Sequence, residues 1–262
     1  MHAFNYQTPA TLAAAVSAAG AGDTKIIAGG QSLLGAMKLG LAGHGALIDL
    51  SAVPGLKRIE LSASELTLGA MNTHAEVAAS AVVRKAVPAL AELAGHIGDR
   101  QVRHRGTLGG SLANNDPAAC YPAALLALGA TVHTDRRKIA AADFFKGLYQ
   151  TALADDELIV AVSFPLPERA AYVKFNQPAS RFALVGVFVA KGPQGVRVAV
   201  TGAGSGVMRV KALEDRLVKD WSAAACSGVT VAADTLNSDL HASAEYRAAL
   251  IPVLAARAVA AS

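Results

Sequence analysis

Two double-glycine segments are the places in this sequence where residue type and spacing suit chemistry. The first is Ala28-Gly29-Gly30-Gln31-Ser32-Leu33, where a strand-like run over 24–28 ends on two glycines and a serine able to cap a helix. The second is Gly106-Thr107-Leu108-Gly109-Gly110-Ser111, a Gly/Asn loop continuing through Asn114-Asn115-Asp116-Pro117 towards a helix expected over 118–128. Glycine lets the backbone come close to an anion, and a helix start behind it offers unpaired N–H groups and the positive end of a dipole. Two such segments in one domain suit the two halves of a pyrophosphate. Each by itself is equally compatible with an ordinary turn.

Other chemistry is harder to find. Gly202-Ala203-Gly204-Ser205-Gly206-Val207 approaches the dinucleotide fingerprint, but Val207 stands where the third glycine belongs and the segment lies late in the chain, so it reads as a turn. No G-x-x-x-x-G-K-[ST] phosphate loop and no G-x-S-x-G elbow occurs. The seven histidines form no ligand set, and His74 in His74-Ala75-Glu76 reads as a helix-start residue. The run Asp99-Arg100-Gln101-Val102-Arg103-His104-Arg105 either assists phosphate binding or is a solvated or partner-facing surface. Cys120 stands near a helix start, where thiols gain reactivity, yet no base is recognisable beside it and a buried, inert cysteine is the simpler reading.

The first loop needs a scaffold before and after it. Thr8 is placed to cap a helix with Pro9 in its first turn and Gly20 behind it. A helix capped by Ser32 runs through Met37 and Lys38, a strand covers 46–50, and residues 57–61 and 65–70 form a hairpin around Ser62-Ala63-Ser64. Thr73-x-x-Glu76 is a capping box, and a helix over 83–95 is bent or restarted at Pro88. Beyond Pro167 the pattern changes to three strands (172–176, 182–190, 196–201) and then helices (210–219, 222–233, 243–261). Strands followed by helices indicate a separate α+β lobe, with its boundary at Pro165-Leu166-Pro167.

Composition bounds the rest. The chain has 262 residues, of which 53% are hydrophobic but only 5% aromatic, which fits alanine-rich helices packed on thin sheets. Two cysteines, Cys120 and Cys226, are too few for a disulfide framework, a four-cysteine zinc site or a self-contained iron–sulfur cluster. A net charge of +4, spread along the chain, lacks the basic stripe of a nucleic-acid binder. The longest uncharged stretches, 1–22 and 117–134, are broken by polar residues and prolines, so neither is a membrane span of roughly 20 apolar residues. The N-terminus lacks the charged and apolar regions of a signal peptide, so the expectation is a soluble cytoplasmic protein.

With these residues in view the chain resembles a known family. Ala28-Gly29-Gly30-Gln31-Ser32-Leu33-Leu34 with Met37-Lys38-Leu39 resembles the first FAD motif of the medium subunits of molybdenum hydroxylases, the group of carbon monoxide dehydrogenase and xanthine dehydrogenase. The stretch 97–128, IGDRQVRHRGTLGGSLANNDPAACYPAALLAL, resembles their second motif almost end to end. Tyr172-x-Lys174 followed by Ser180-Arg181-Phe182-Ala183-Leu184-Val185-Gly186-Val187 is similar to the opening of their C-terminal lobe.

The resemblance implies an α+β protein with a two-subdomain FAD-binding fold of the vanillyl-alcohol-oxidase (PCMH) type over 1–167, its subdomains about 1–55 and 56–167. A C-terminal lobe over 168–262, with a three-stranded antiparallel sheet and helices, is implied behind it. It places the FAD pyrophosphate against Ala28, Gly29, Gly30, Gln31, Ser32 and Leu33 and against Thr107, Leu108, Gly109, Gly110 and Ser111. Asn115, Asp116, Tyr172 and Lys174 are implied near the flavin ring or ribityl chain. Where family members often carry an aspartate that approaches the flavin, this chain has Cys120, which removes a fixed negative charge. Lys211 loosely matches a lysine that touches the ring in xanthine dehydrogenase.

By the same resemblance the chain is an electron-transfer subunit without catalytic residues or metal of its own. A large molybdopterin subunit and a small subunit with two [2Fe-2S] clusters are the expected partners, in a dimer of heterotrimers. Electrons would pass from the clusters through FAD to an external quinone, NAD or oxygen. A stand-alone FAD oxidoreductase of similar fold and a scaffold subunit without flavin are the alternatives.

Overall fold

The computed structural model describes residues 3–262. The chain begins with a small parallel sheet in the order β1 (Asn5–Gln7), β3 (Ala46–Asp49), β2 (Thr24–Ile27). Helices α1 (Leu12–Ala19) and α2 (Leu33–Lys38) connect these strands. Helix α1 starts later than the Thr8-Pro9 pair suggests: Thr11 is its cap, accepting the Ala14 N–H at 3.1 Å. Pro9 disfavours helical backbone at Thr8, and residues 5–7 pair with β3 as β1, a strand missed in the sequence. Gly20 ends α1 as expected, whereas the Ser32 side chain makes no capping bond to α2.

A five-stranded antiparallel sheet follows, ordered β4 (Ile59–Leu61), β5 (Glu65–Gly69), β10 (Ile159–Pro165), β6 (Thr131–Thr134), β7 (Lys138–Ala140). One face buries Leu66, Leu68, Val132, Val162 and Phe164. The helices of this part are α3 (His74–Ala79), α4 (Ala81–Ala86), α5 (Pro88–Gly95), α6 (Arg100–Arg105), α7 (Leu108–Asn114), α8 (Tyr121–Leu128) and α9 (Ala141–Phe144), and all but α6 contribute residues to the same core. The capping box at Thr73 and Glu76 forms as read, and the helix expected over 83–95 is restarted at Pro88 as two helices. A two-stranded hairpin, β8 (Phe145–Gly147) and β9 (Gln150–Thr151), completes this part. Helix α8 carries no charge and all eight of its residues are buried.

The third sheet, β11 (Arg169–Asn176), β12 (Ala183–Gly192), β13 (Gly195–Thr201) and β14 (Met208–Arg209), is antiparallel; its two-residue fourth strand extends the three expected. Its faces belong to different cores. Tyr172, Phe188, Ala190 and Ala199 join the cluster built on α8, while Val185, Val187, Val189, Val198 and Val200 pack with Ile251, Leu254, Ala255 and Ala258 of α11 (Ala244–Ala261). Helix α10 (Lys211–Lys219) lies near the reading of 210–219. The helix expected over 222–233 is a correction: only Ala223–Cys226 turns, as a 3-10 helix. Gly228 takes a left-handed φ of 71°, and the β-branched Val229-Thr230-Val231 run behind it disfavours a helix. Among the described residues no helix is long and apolar enough to cross a membrane.

The C-terminal sheet depends on a buried charge. Glu214 on α10 is fully buried, receives two bonds from the Arg209 guanidinium at 2.7 and 2.6 Å, and accepts the Val198 N–H at 3.1 Å. Arg209→Met is expected to lower unfolding stability by about 2–3 kcal/mol, because it strands a buried carboxylate. Lys211→Met, which removes an exposed partner 3.6 Å from the same carboxylate, is expected to lose less than about 1 kcal/mol. Urea unfolding of both variants checks the difference.

Candidate functional site

The two glycine segments meet. Strand β2 delivers Ala28 and Gly29 to the backbone that precedes α7, where a side chain on Gly29 would overlap the Arg105 carbonyl and stand 2.8 Å from the Gly106 Cα. Gly30 then turns the chain with a left-handed φ of 72°, which other residues rarely adopt. On the opposite side, a methyl group at Gly110 would stand 3.6 Å from the Ala28 Cβ and 2.8 Å from Thr107 Oγ1. Backbone thus faces backbone where the loops touch.

The second segment is not the irregular loop expected from its glycines and asparagines. Residues 108–114 form helix α7, capped by Thr107, whose hydroxyl accepts the Gly110 N–H at 3.1 Å. Glycine is a poor helix former, so tertiary contact decides here. A methyl group at Gly109 would come 2.7 Å from the Ala70 Cβ, and the Leu108 and Gly109 N–H groups donate to Asn72 O at 3.0 Å and Ala70 O at 2.8 Å.

The loops therefore differ as anion sites. In the second, the N–H groups of Leu108, Gly109, Gly110 and Ser111 all have protein acceptors. In the first, the N–H groups of Gly29, Gly30, Gln31, Ser32 and Leu33 have none among the described residues. Five consecutive free donors, walled by glycine backbone, fit a phosphate group. Gln31 and Ser32 are exposed and Ala28, Gly29, Gly30 and Leu33 half-buried, so the run opens to solvent. Of the arginine run, Arg103 folds back on the Ile97 and Gly98 carbonyls, both at 3.0 Å, while Arg100, His104 and Arg105 are exposed on α6.

The remaining expected residues lie in two further places. Asn115 ends α7 in a left-handed conformation, is buried, and donates its amide to Gly147 O at 2.8 Å and Gln150 O at 2.7 Å, gripping the turn end of the β8–β9 hairpin. Asp116 accepts the Ala118 N–H at 2.8 Å and the Tyr149 hydroxyl at 3.4 Å. Tyr172 and Lys174 stand on β11, at the seam where the C-terminal sheet meets the segment 117–120. There Pro117 O accepts from the Gly202 N–H at 2.8 Å and the Thr201 hydroxyl at 2.7 Å, and Ala119 O accepts the same hydroxyl at 2.6 Å. Lys174 Nζ donates to His96 O at 2.7 Å and Arg181 O at 2.9 Å, and lies 3.6 Å from Cys120 Sγ. Burial, and next the neighbouring Cys120, push the Tyr172 phenol well above its usual pKa. Lys211 is three-quarters exposed and pairs with Glu214 and Asp215 at 3.6 and 3.2 Å.

Sequence reasoning missed His74 as part of the support. It is buried, its ring lies 5.4 Å from that of Tyr121, and a methyl group at Gly106 would meet its Nε2 at 2.6 Å. Its own N–H donates to Gly106 O at 2.9 Å, so it braces the turn leading into the second loop. Burial first, and then the charge of Arg103, lower its pKa from 6.5 to about 4.

The comparisons identify the class of protein to which this architecture belongs, an FAD-binding oxidoreductase subunit. The family described as "FAD binding domain in molybdopterin dehydrogenase" matches residues 2–167, more than half of the chain. The medium subunit of nicotine 6-hydroxylase from Paenarthrobacter nicotinovorans is 40% identical, over 90% of this chain and 89% of that protein. Among solved structures, carbon monoxide dehydrogenase from Hydrogenophaga pseudoflava superposes with a TM-score of 0.90 at 32% identity, covering 99% of this chain and 97% of that one. Quinoline 2-oxidoreductase from Pseudomonas putida 86 gives 0.89 at 33% identity, covering 99% and 96%. The chain belongs to the FAD-binding medium subunits of the molybdenum hydroxylase family, as its motifs implied.

His74 gives the site a pH dependence with a definite sign. The native state holds it neutral while the unfolded chain binds a proton below pH 6.5, so its contribution is complete above 6.5 and lost as pH falls towards 4. The loss amounts to about 3 kcal/mol, since one pKa unit is about 1.4 kcal/mol. His74→Phe, which keeps the ring contact with Tyr121, is expected to flatten this acid limb in urea unfolding measured from pH 7 to pH 4.

Proposed function

We propose that this chain is the flavin station of a three-subunit molybdenum hydroxylase. In this reading a large molybdopterin subunit acts on the substrate, a small subunit with two [2Fe-2S] clusters supplies electrons one at a time, and an external quinone, NAD or oxygen accepts them. The assembly is a cytoplasmic dimer of heterotrimers. The observation that carries the reading is the run of five free N–H groups at 29–33, held against the glycine backbone before α7. When bound, FAD supplies the storage of two electrons; the chain supplies position and electrostatics.

The roles divide along the chain. Gly29, Gly30, Gln31, Ser32 and Leu33 would donate to the pyrophosphate, with Ala28, Thr107, Leu108, Gly109, Gly110 and Ser111 forming the opposing wall. Asn115 and Asp116 would hold the hairpin and the segment before α8 alongside the ribityl chain. Tyr172 and Lys174 would face the ring at the seam, where the Lys174 ammonium is aimed by two carbonyls and its positive charge is fixed in place. With only two cysteines the chain cannot ligate a four-cysteine cluster, which fits clusters carried on a partner. The division into an FAD-binding domain over 1–167 and a C-terminal lobe over 168–262 is part of this reading. It is supported by the separate valine-rich core on α11, although Tyr172 and Phe188 are shared with the first domain's core.

Gly110→Val tests the loop assignment. A side chain there meets Thr107 Oγ1 and faces Ala28, so FAD retained through purification is expected to fall at least about tenfold, roughly 1.4 kcal/mol of binding. Circular dichroism and the melting temperature of the flavin-free protein should stay close to wild type. Unchanged flavin content in a folded variant shows that the pyrophosphate lies elsewhere. Purification from native expression is expected to bring down one molybdenum-containing and one iron–sulfur subunit, and recovery of this chain alone overturns the assembly.

A further inference from the structure

Cys120 is a buried thiol to which the proposed function gives no task. It is 4% exposed and sits between the end of α7 and the start of α8. From the C-terminal sheet the Lys174 amine reaches to 3.6 Å from its sulfur, aimed by the His96 and Arg181 carbonyls. From the same strand comes Tyr172, buried in the same core cluster as Cys120. Tyr172 is 2% exposed and its hydroxyl has no hydrogen-bond partner, an unfavourable state for a buried donor. A thiol and a primary amine thus meet at the seam, with an unpartnered buried phenol on the same strand. The other free cysteine, Cys226, is equally buried and has no amine beside it among the described residues.

We propose that Cys120 and Lys174 form an oxidisable pair, in which peroxide inserts one oxygen between Sγ and Nζ as a covalent S–O–N bridge across the seam. The first molecule of hydrogen peroxide converts the thiol to a sulfenic acid and leaves as water. A second couples that oxygen to the amine. Overall the thiol, the ammonium and two peroxides give the bridge, three waters and one proton. One S–O and one N–O bond form, one S–H, two N–H and two O–O bonds break, and sulfur and nitrogen together lose four electrons to peroxide. Two molecules of dithiothreitol return the thiol, the amine and one water. The lysine stem is flexible enough to close on the sulfur without moving the strand.

The test uses the full chain with the subunits that co-purify with it, treated with hydrogen peroxide, digested with trypsin and read by mass spectrometry. The expected product is a linked peptide pair containing Cys120 and Lys174, one oxygen heavier and two hydrogens lighter than the separate peptides. Cleavage after Lys174 is lost with it, and dithiothreitol restores both. Cys226 serves as the internal control and stays unlinked. Lys174→Met and Cys120→Ser each abolish the linked pair; the wild-type result decides alone if either variant fails to fold. Cys120 carrying only its own added oxygens, with Lys174 still cleaved, overturns the proposal. So does an unmodified Cys120 at a peroxide dose that oxidises the half-buried Met71 and Met208.

Discussion

The site rests on one close approach. At Gly29 the end of a parallel strand lies so near the Arg105 carbonyl that no side chain fits, and two segments far apart in sequence share one wall. Much of the neighbouring structure serves that contact. The parallel sheet aims β2 at it, Gly30 turns the chain away behind it, and the bonds from His74 to Gly106 and from Leu108 to Asn72 hold the other side in place. The donors of the first loop stay free because neither the Arg105 carbonyl nor any other described acceptor bonds to them. A carbonyl or side chain turned into that space would satisfy those groups and close the site to a phosphate.

The second organising feature is that the C-terminal sheet is buried on both faces. One face completes the core around α8 and the other makes a core of its own with α11. Strand β12, buried at eight consecutive positions, shows this directly. A sheet of this kind is a shared wall, and the hydroxyl and ammonium groups along it, Thr201 and Lys174, bond to backbone carbonyls of the segments they face. Position at the seam is therefore set by hydrogen bonds to main chain, which do not depend on the partner's side chains.

Much of this was legible in the residues. The capping box, the Pro88 restart, the hairpin about Ser62 and the change of pattern after Pro167 carry local signals, and the structure forms them. The failures have a common cause. Helix α7 looked like a loop because its glycines are poor helix formers, and only packing against Ala70 explains them. Strand β1 was hidden behind a proline that read equally well as a helix start. The residues 222–233 had alanines enough for a helix, but Gly228 and the β-branched run behind it prevailed. At the site, the glycine loops were visible, whereas the tie from Asn115 to Gly147 and Gln150 and the pairing of Lys174 with Cys120 were not. Those contacts join residues 32 to 54 positions apart, and no periodicity or motif encodes them.

Helix α8 has a consequence for the order in which the chain is made. It is apolar on every side, and its covering comes partly from β12 and β13, which leave the ribosome some sixty or more residues later. During that interval the nascent chain carries a naked greasy rod with only half its sheath. Such intermediates are prone to stick to one another, so the pace of synthesis between 128 and 201, and the chaperones at hand, bear on the yield of this subunit more than its final stability does.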